Sequence, residues 1–191
     1  MRVMVVGASG AIGTRLVPQL TSRGHEVIGT FRSPANAERV RALGARPVAL
    51  NLLDPGAVRR AVLDIRPEAI IHQATALAGQ RFSRKLDKTF AQTNRLRTAG
   101  TDALLAAARE AQVHRFVAQS FAPYRYARQG GMVKTEDDPL DAAPPAGAHE
   151  TNAAVTAWSR WVIAALVSCA PAGGAASSGS SSVLTIPPCL A

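Results

Sequence analysis

The chain has 191 residues, 47% of them hydrophobic and 18% charged, which suits one ordinary domain, since single cores grow to ~250 residues. Its formal net charge of +9 comes from scattered arginines, with lysine only at 85, 88 and 134, so there is no basic stripe interleaved with aromatics and nucleic acid is not an expected partner. No apolar run reaches ~18 residues without a polar or breaking residue, and no charged-then-apolar leader opens the sequence, which predicts no membrane partner and a cytoplasmic location.

The chain opens on an apolar β-type segment, Val3 to Val6, that runs into glycines at 7, 10 and 13 and then into a helical pattern from Ala11 to Arg23. Glycine suits the first position because a tight turn needs freedom in φ. It suits the second because a Cβ would hold the backbone away from a pyrophosphate, and the third because helix and strand must pack closely. The helix start aims unpaired N–H groups and a positive dipole end at the same point, which favours an anion there.

His25 to Thr30 reads as a second strand, Ala37 to Leu43 as a short helix and Arg46 to Leu50 as a third strand. Asp54 followed by Pro55 predicts a capped helix start. Glu68 to Gln73 is a fourth strand, Lys88 to Ala111 one long helix and His114 to Gln119 a fifth strand. Strands alternate with helices throughout, so the expected fold is α/β: a Rossmann-like doubly wound parallel sheet in the order 3-2-1-4-5, with its ligand at the switch point between strands one and four.

Phe121 to His149 carries four prolines and no periodicity, as functional loops of that length do, and a last helix is expected from about Glu150 to Leu166. No charged residue occurs from Trp161 to Ala191, and Ala172 to Ser182 has the composition of a flexible linker. The expected division is a folded unit over 1–167 and a low-complexity, disordered tail over 168–191. Both cysteines, Cys169 and Cys189, lie in that tail far from histidine or carboxylate, so no metal site and no catalytic thiol are expected.

Several segments, in order over residues 1 to about 157, resemble the extended short-chain dehydrogenase/reductase family, the NAD-dependent epimerase/dehydratase group. VVGASGAIG resembles its glycine motif TGxxGxxG, and NLLD, from Asn51 to Asp54, resembles the segment that touches adenine. HQATAL from His72 resembles the strand-four motif HxAA beside the cofactor ribose. Asn94 matches the family's helix-four asparagine before the pattern N-x-x-G-T-x-N-L-L-E-A-A, and VHRFVAQS resembles the fifth-strand segment. The resemblance implies cofactor contacts from Gly7, Ser9, Gly10, Ala11, Ile12, Gly13, Asn51, Leu52, Ala74 and Asn94. Read without it, His72 is a satisfied core histidine, Asp54 a plain helix cap, and Asn94 a cap or kink.

Cofactor choice is read at the end of the second strand, GTFRSP, where Thr30 stands in the place of the acid that selects NAD and Arg32 follows two residues later. A guanidinium grips a phosphate with two parallel hydrogen bonds, so Arg32 predicts NADP, with NAD as the alternative.

The family's Tyr-x-x-x-Lys pair should fall on Gly147 to Thr151, and neither residue is there. Ser120 and Tyr124 are the remaining catalytic candidates, with Tyr126, Lys134, His149 and Glu150 nearby. The C-terminal substrate region of the family is also replaced here by the uncharged tail. Three functions remain open: an oxidoreductase or epimerase acting on a small carbonyl, alcohol or sugar; a dinucleotide-binding regulator or redox sensor without turnover; and an inactive fragment. The resemblance further implies a homodimer through the helices at about Lys88 to Ala111 and Glu150 to Leu166.

Overall fold

The computed structural model describes residues 1–80, 85–119, 131 and 147–155. Ser120, Tyr124, Tyr126, Lys134 and the tail over 168–191 lie outside the described residues. Five strands, β1 (Arg2–Val6), β2 (Glu26–Phe31), β3 (Arg46–Ala49), β4 (Ala69–His72) and β5 (Arg115–Ala118), form one sheet in the order β3-β2-β1-β4-β5. Every pairing is parallel, as the alternation of strands and helices predicted.

β1 lies at the centre and is buried on both faces, which is why it reads as a continuous apolar run rather than an alternating one. Val3 and Val5 enter the layer that also holds Val17 of α1 (Gly13–Ser22) and Val40 of α2 (Ala37–Ala42). Met4 and Val6 enter the opposite layer, against Val58 and Val62 of α3 (Pro55–Ile65). Asp54 caps α3 as expected: its Oδ1 accepts the Ala57 N–H at 2.9 Å, with Pro55 in the first turn.

The long helix expected over 88–111 is instead three pieces: α4 (Leu86–Arg95), a π-helical turn over Leu96–Gly100, and α5 (Thr101–Glu110). Two hydroxyls serve the carbonyls of this wider turn. Thr98 Oγ1 donates to Asn94 O at 2.9 Å and Thr101 Oγ1 to Leu96 O at 3.5 Å.

Residues 149–155 are helical, and this segment is tied to the start of α4. The Asp87 N–H donates to Gly147 O at 2.7 Å, and Asp87 Oδ1 accepts the Thr151 N–H at 2.8 Å. Among the described residues, no helix is long and apolar enough to cross a membrane.

Candidate functional site

The register pairs Val6 with His72, so the C-terminal ends of β1 and β4 lie side by side where the chain reverses its direction across the sheet. Clefts outside the strand ends at such a point are where ligands bind in open α/β sheets. A cleft of about 800 Å³ opens here. Of the residues proposed from sequence, Gly7, Ser9, Gly10, Ala11, Ile12, Arg32, Asn51, Leu52 and Ala74 line it. Gly13 and Asn94 are not among the lining residues.

The three loop glycines have different reasons to be glycine. Gly7 has φ +88°, and a Cβ on it would stand 2.8 Å from the backbone of Ala74; a Cβ on Gly13 would stand 2.5 Å from the Ala8 carbonyl oxygen. Both are required by the packing of the protein itself. A Cβ on Gly10 would meet only the Gly7 carbonyl, at 3.2 Å, so its nakedness is mostly turned to the cleft. α1 begins two residues later than expected, because Gly7 to Ile12 form the turn: the Gly10 N–H donates to Gly7 O at 3.0 Å, and Ile12 is the cap.

Thr30 is buried and lines the cleft, and its Oγ1 accepts the Gly7 N–H at 3.2 Å while its carbonyl accepts the Ala8 N–H at 3.1 Å. It is a brace for the loop, a role that sequence reasoning missed. Arg32 is exposed at the rim, beside Ser33, Asn36 and Arg39. Asn51 turns its Oδ1 to its own chain, accepting the Leu53 N–H at 3.1 Å.

On the far wall stand His72, Gln73, Gln92, Leu96, Arg97 and, at the end of β5, Gln119. Burial pushes the His72 imidazole down to about 4, a hydrogen bond to the Leu96 backbone opposes this, and the Arg97 charge adds to the depression. The ring is therefore neutral at pH 7, and its Nδ1 accepts the Ala74 N–H at 3.3 Å. It is a core histidine that also shapes the cleft. The Gln73 side-chain oxygen is buried without a hydrogen-bond partner, an acceptor left for whatever enters.

Asn94 is buried and works on the protein side of this wall. Its Nδ2 donates to Thr151 Oγ1 at 3.0 Å and its Oδ1 accepts from Arg97 Nη1 at 3.4 Å. Arg97, three residues before Gly100, is the one that reaches the cleft. The N-x-x-G-T spacing ending at Gly100 and Thr101, counted backwards, was the signal that would have found it. Among the described residues, the cleft lining carries three arginines, 32, 39 and 97, and no carboxylate. No group of three His, Cys, Asp or Glu among the described residues suits a metal ion.

A parallel sheet in this order, with a glycine loop at its switch point, defines the chain as a Rossmann-like α/β protein. The sequence profile of the NAD dependent epimerase/dehydratase family matches residues 3–148, and the chain belongs to that family. It is 44% identical, over 155 residues, to a "3-diazoavenalumate denitrifying reductase" of a Streptomyces species, covering 80% of this chain and 49% of that protein. It is 31% identical to a "4-hydroxy-2-methyl-3-oxo-4-farnesyl-3,4-dihydroquinoline-1-oxide ketoreductase" of Stigmatella aurantiaca, covering 80% of this chain and 43% of that one. Among solved structures, the UDP-glucose 4-epimerase of Thermus thermophilus in complex with NAD matches with TM-score 0.71 and 25% identity, over 88% of this chain and 51% of that one. The chain thus spans about half the length of these proteins or less.

Proposed function

We propose that the cleft binds a nicotinamide dinucleotide and that the chain is the cofactor-binding part of an NAD(P)-dependent oxidoreductase or epimerase acting on a small carbonyl, alcohol or sugar. The observation that carries this is Gly10, whose missing side chain opens the loop to the cleft at the head of α1, where a pyrophosphate meets free N–H groups. The residues present fit such a group: an arginine-lined cleft free of carboxylates among its described residues suits the phosphates, and the orphan Gln73 oxygen suits a donor. The family, the two reductase relatives and the NAD-bound epimerase support the same reading.

When bound, the cofactor would supply or accept a hydride. The backbone of Ser9 to Ile12 would hold its pyrophosphate, and Asn51 and Leu52 its adenine. Ala74 would flank a ribose. Arg32, with no carboxylate beside it among the described lining residues, favours NADP over NAD. Ser120 and Tyr124, outside the described residues, are the candidates for the proton-transfer step.

One observation favours a second reading, binding without turnover. Gly147 and Thr151 occupy the positions where tyrosine and lysine are expected, and Thr151 is fully buried with its hydroxyl spent on Asp87 and Asn94. Titration with NADPH and NADH, read by nicotinamide fluorescence, tests binding, and a panel of carbonyl substrates tests turnover. Binding with turnover supports the enzyme, and binding alone supports the second reading. No binding of either nucleotide sinks both.

A further inference from the structure

We propose that Gln73 is a specificity-determining residue of the cleft, whose side-chain oxygen accepts a hydrogen bond from an uncharged N–H or O–H on the nicotinamide half of the bound dinucleotide. The inference rests on the reading of this cleft as a dinucleotide site. It is independent of the family resemblance, because Gln73 stands at the open position of H-x-A-A.

The backbone of Gln73 is fixed at the switch point. Its N–H donates to Val6 O at 2.9 Å, and a Cβ on Gly7 would stand 3.0 Å from its carbonyl carbon, so it lies against the first residue of the glycine loop. The register that sets Ile71 opposite Val117 and His72 opposite Ala118 continues into Gln73 beside Gln119, which also lines the cleft. Neighbouring strands lie ~4.8 Å apart, so these two amides stand one and two strand spacings from β1, on the side away from β2. Arg32, Asn51 and Leu52, which would serve the adenosine half, follow β2 and β3 on the other side. A dinucleotide whose pyrophosphate rests at the end of β1 must therefore send its other half past Gln73.

The side chain is prepared for a partner it does not find within the chain. Gln73 Oε1 is buried without a hydrogen bond, and a buried acceptor left unpaired weakens the folded state. The terminal torsion of a glutamine is broad, so the amide turns readily to meet a donor entering the cleft that the residue lines. An amide oxygen offers lone pairs without a charge, and the described lining holds no carboxylate, so the site suits a neutral donor better than an ammonium. The nicotinamide half carries such donors in its carboxamide NH2 and its ribose hydroxyls.

The test titrates the whole chain by calorimetry with NADP⁺ and with its 3-acetylpyridine analogue, in which a methyl group replaces the carboxamide NH2. The parent is compared with Gln73→Leu and Gln73→Met, and Tm is read alongside. Both variants should melt at or above the Tm of the parent, because they remove an unpaired acceptor, yet bind NADP⁺ about fivefold or more weakly. A glutamine needed only for packing would do the reverse. A parent that prefers NADP⁺ to the analogue, with the preference lost in the variants, assigns the bond to the carboxamide. Equal weakening of both ligands assigns it to a ribose hydroxyl. Should Gln73→Leu not fold, Gln73→Met, which keeps the length of the side chain, decides, and failure of both to fold overturns the proposal. Parental affinity for both ligands in a folded variant overturns it too, while leaving the cofactor reading in place. A parent that binds neither NADP⁺ nor NAD⁺ sinks the cofactor reading and this proposal with it.

Discussion

The hydroxyl of Thr30 accepts the backbone N–H of Gly7 at 3.2 Å, joining the end of β2 to the first residue of the glycine loop. Thr30 is only 3% exposed, so the bond is made out of water. Thr30→Val keeps the shape and removes the acceptor, leaving a part-buried N–H unpaired. We expect a loss of ~1 to 3 kcal/mol in urea denaturation, with weaker NADPH binding because the loop is no longer braced. A variant as stable as the parent would remove this role from Thr30.

The contrast between Gly10 and Gly13 separates ligand needs from folding needs. Gly13→Ala drives a Cβ to 2.5 Å from a backbone oxygen and should cost ~1 to 3 kcal/mol of stability. Gly10→Val should cost less stability, yet abolish NADPH binding. Denaturation curves and fluorescence titration on both variants check this, and Gly10→Val binding as well as the parent would move the pyrophosphate elsewhere.

Much of the architecture was legible because it is local. The apolar run of β1, the Asp54–Pro55 helix start and the regular strand-helix alternation each declare themselves within a few residues, and they led to the observed sheet order. What escaped depends on contacts far apart in sequence or on small changes of helical pitch. The π turn at Leu96–Gly100 hides inside a 3.6-residue periodicity that one extra residue barely disturbs. Thr30 bonds across 23 residues and Asn94 across 57, to partners no pattern names. Arg97, within that turn, lines the cleft, whereas the residue picked from the motif, Asn94, turns its amide to Thr151.

Arg32 should select the phosphorylated cofactor. Arg32→Ala is expected to weaken NADPH about tenfold or more, the size of a charged hydrogen bond, while NADH changes little. Equal affinities for the two nucleotides in the parent protein would count against it.

His72 should make stability fall on acidification. Its folded value, about 4, lies below the ordinary 6.5, so the folded state resists protonation. The stabilising contribution of the neutral ring is full above pH 6.5 and is lost as pH falls from there toward 4, by roughly 3 kcal/mol at the acid end. His72→Asn, which does not titrate, should flatten that part of the pH profile of Tm. An equally steep profile in the variant would place the acid sensitivity elsewhere.

The π turn has a mechanical consequence of its own. It stores one residue more than an α-helical turn, so it sets the rotational phase between α4 and α5. Deleting one residue within 96–100 would let the backbone relax to ordinary pitch and rotate α4 by about 100° about its axis relative to α5. Asn94 would swing off Thr151, and Phe90 would leave the core, while α5 stayed packed on α3. The length of this stretch is thus as sharply specified as any side chain in the cleft, and a single-codon deletion there would do what no point substitution can.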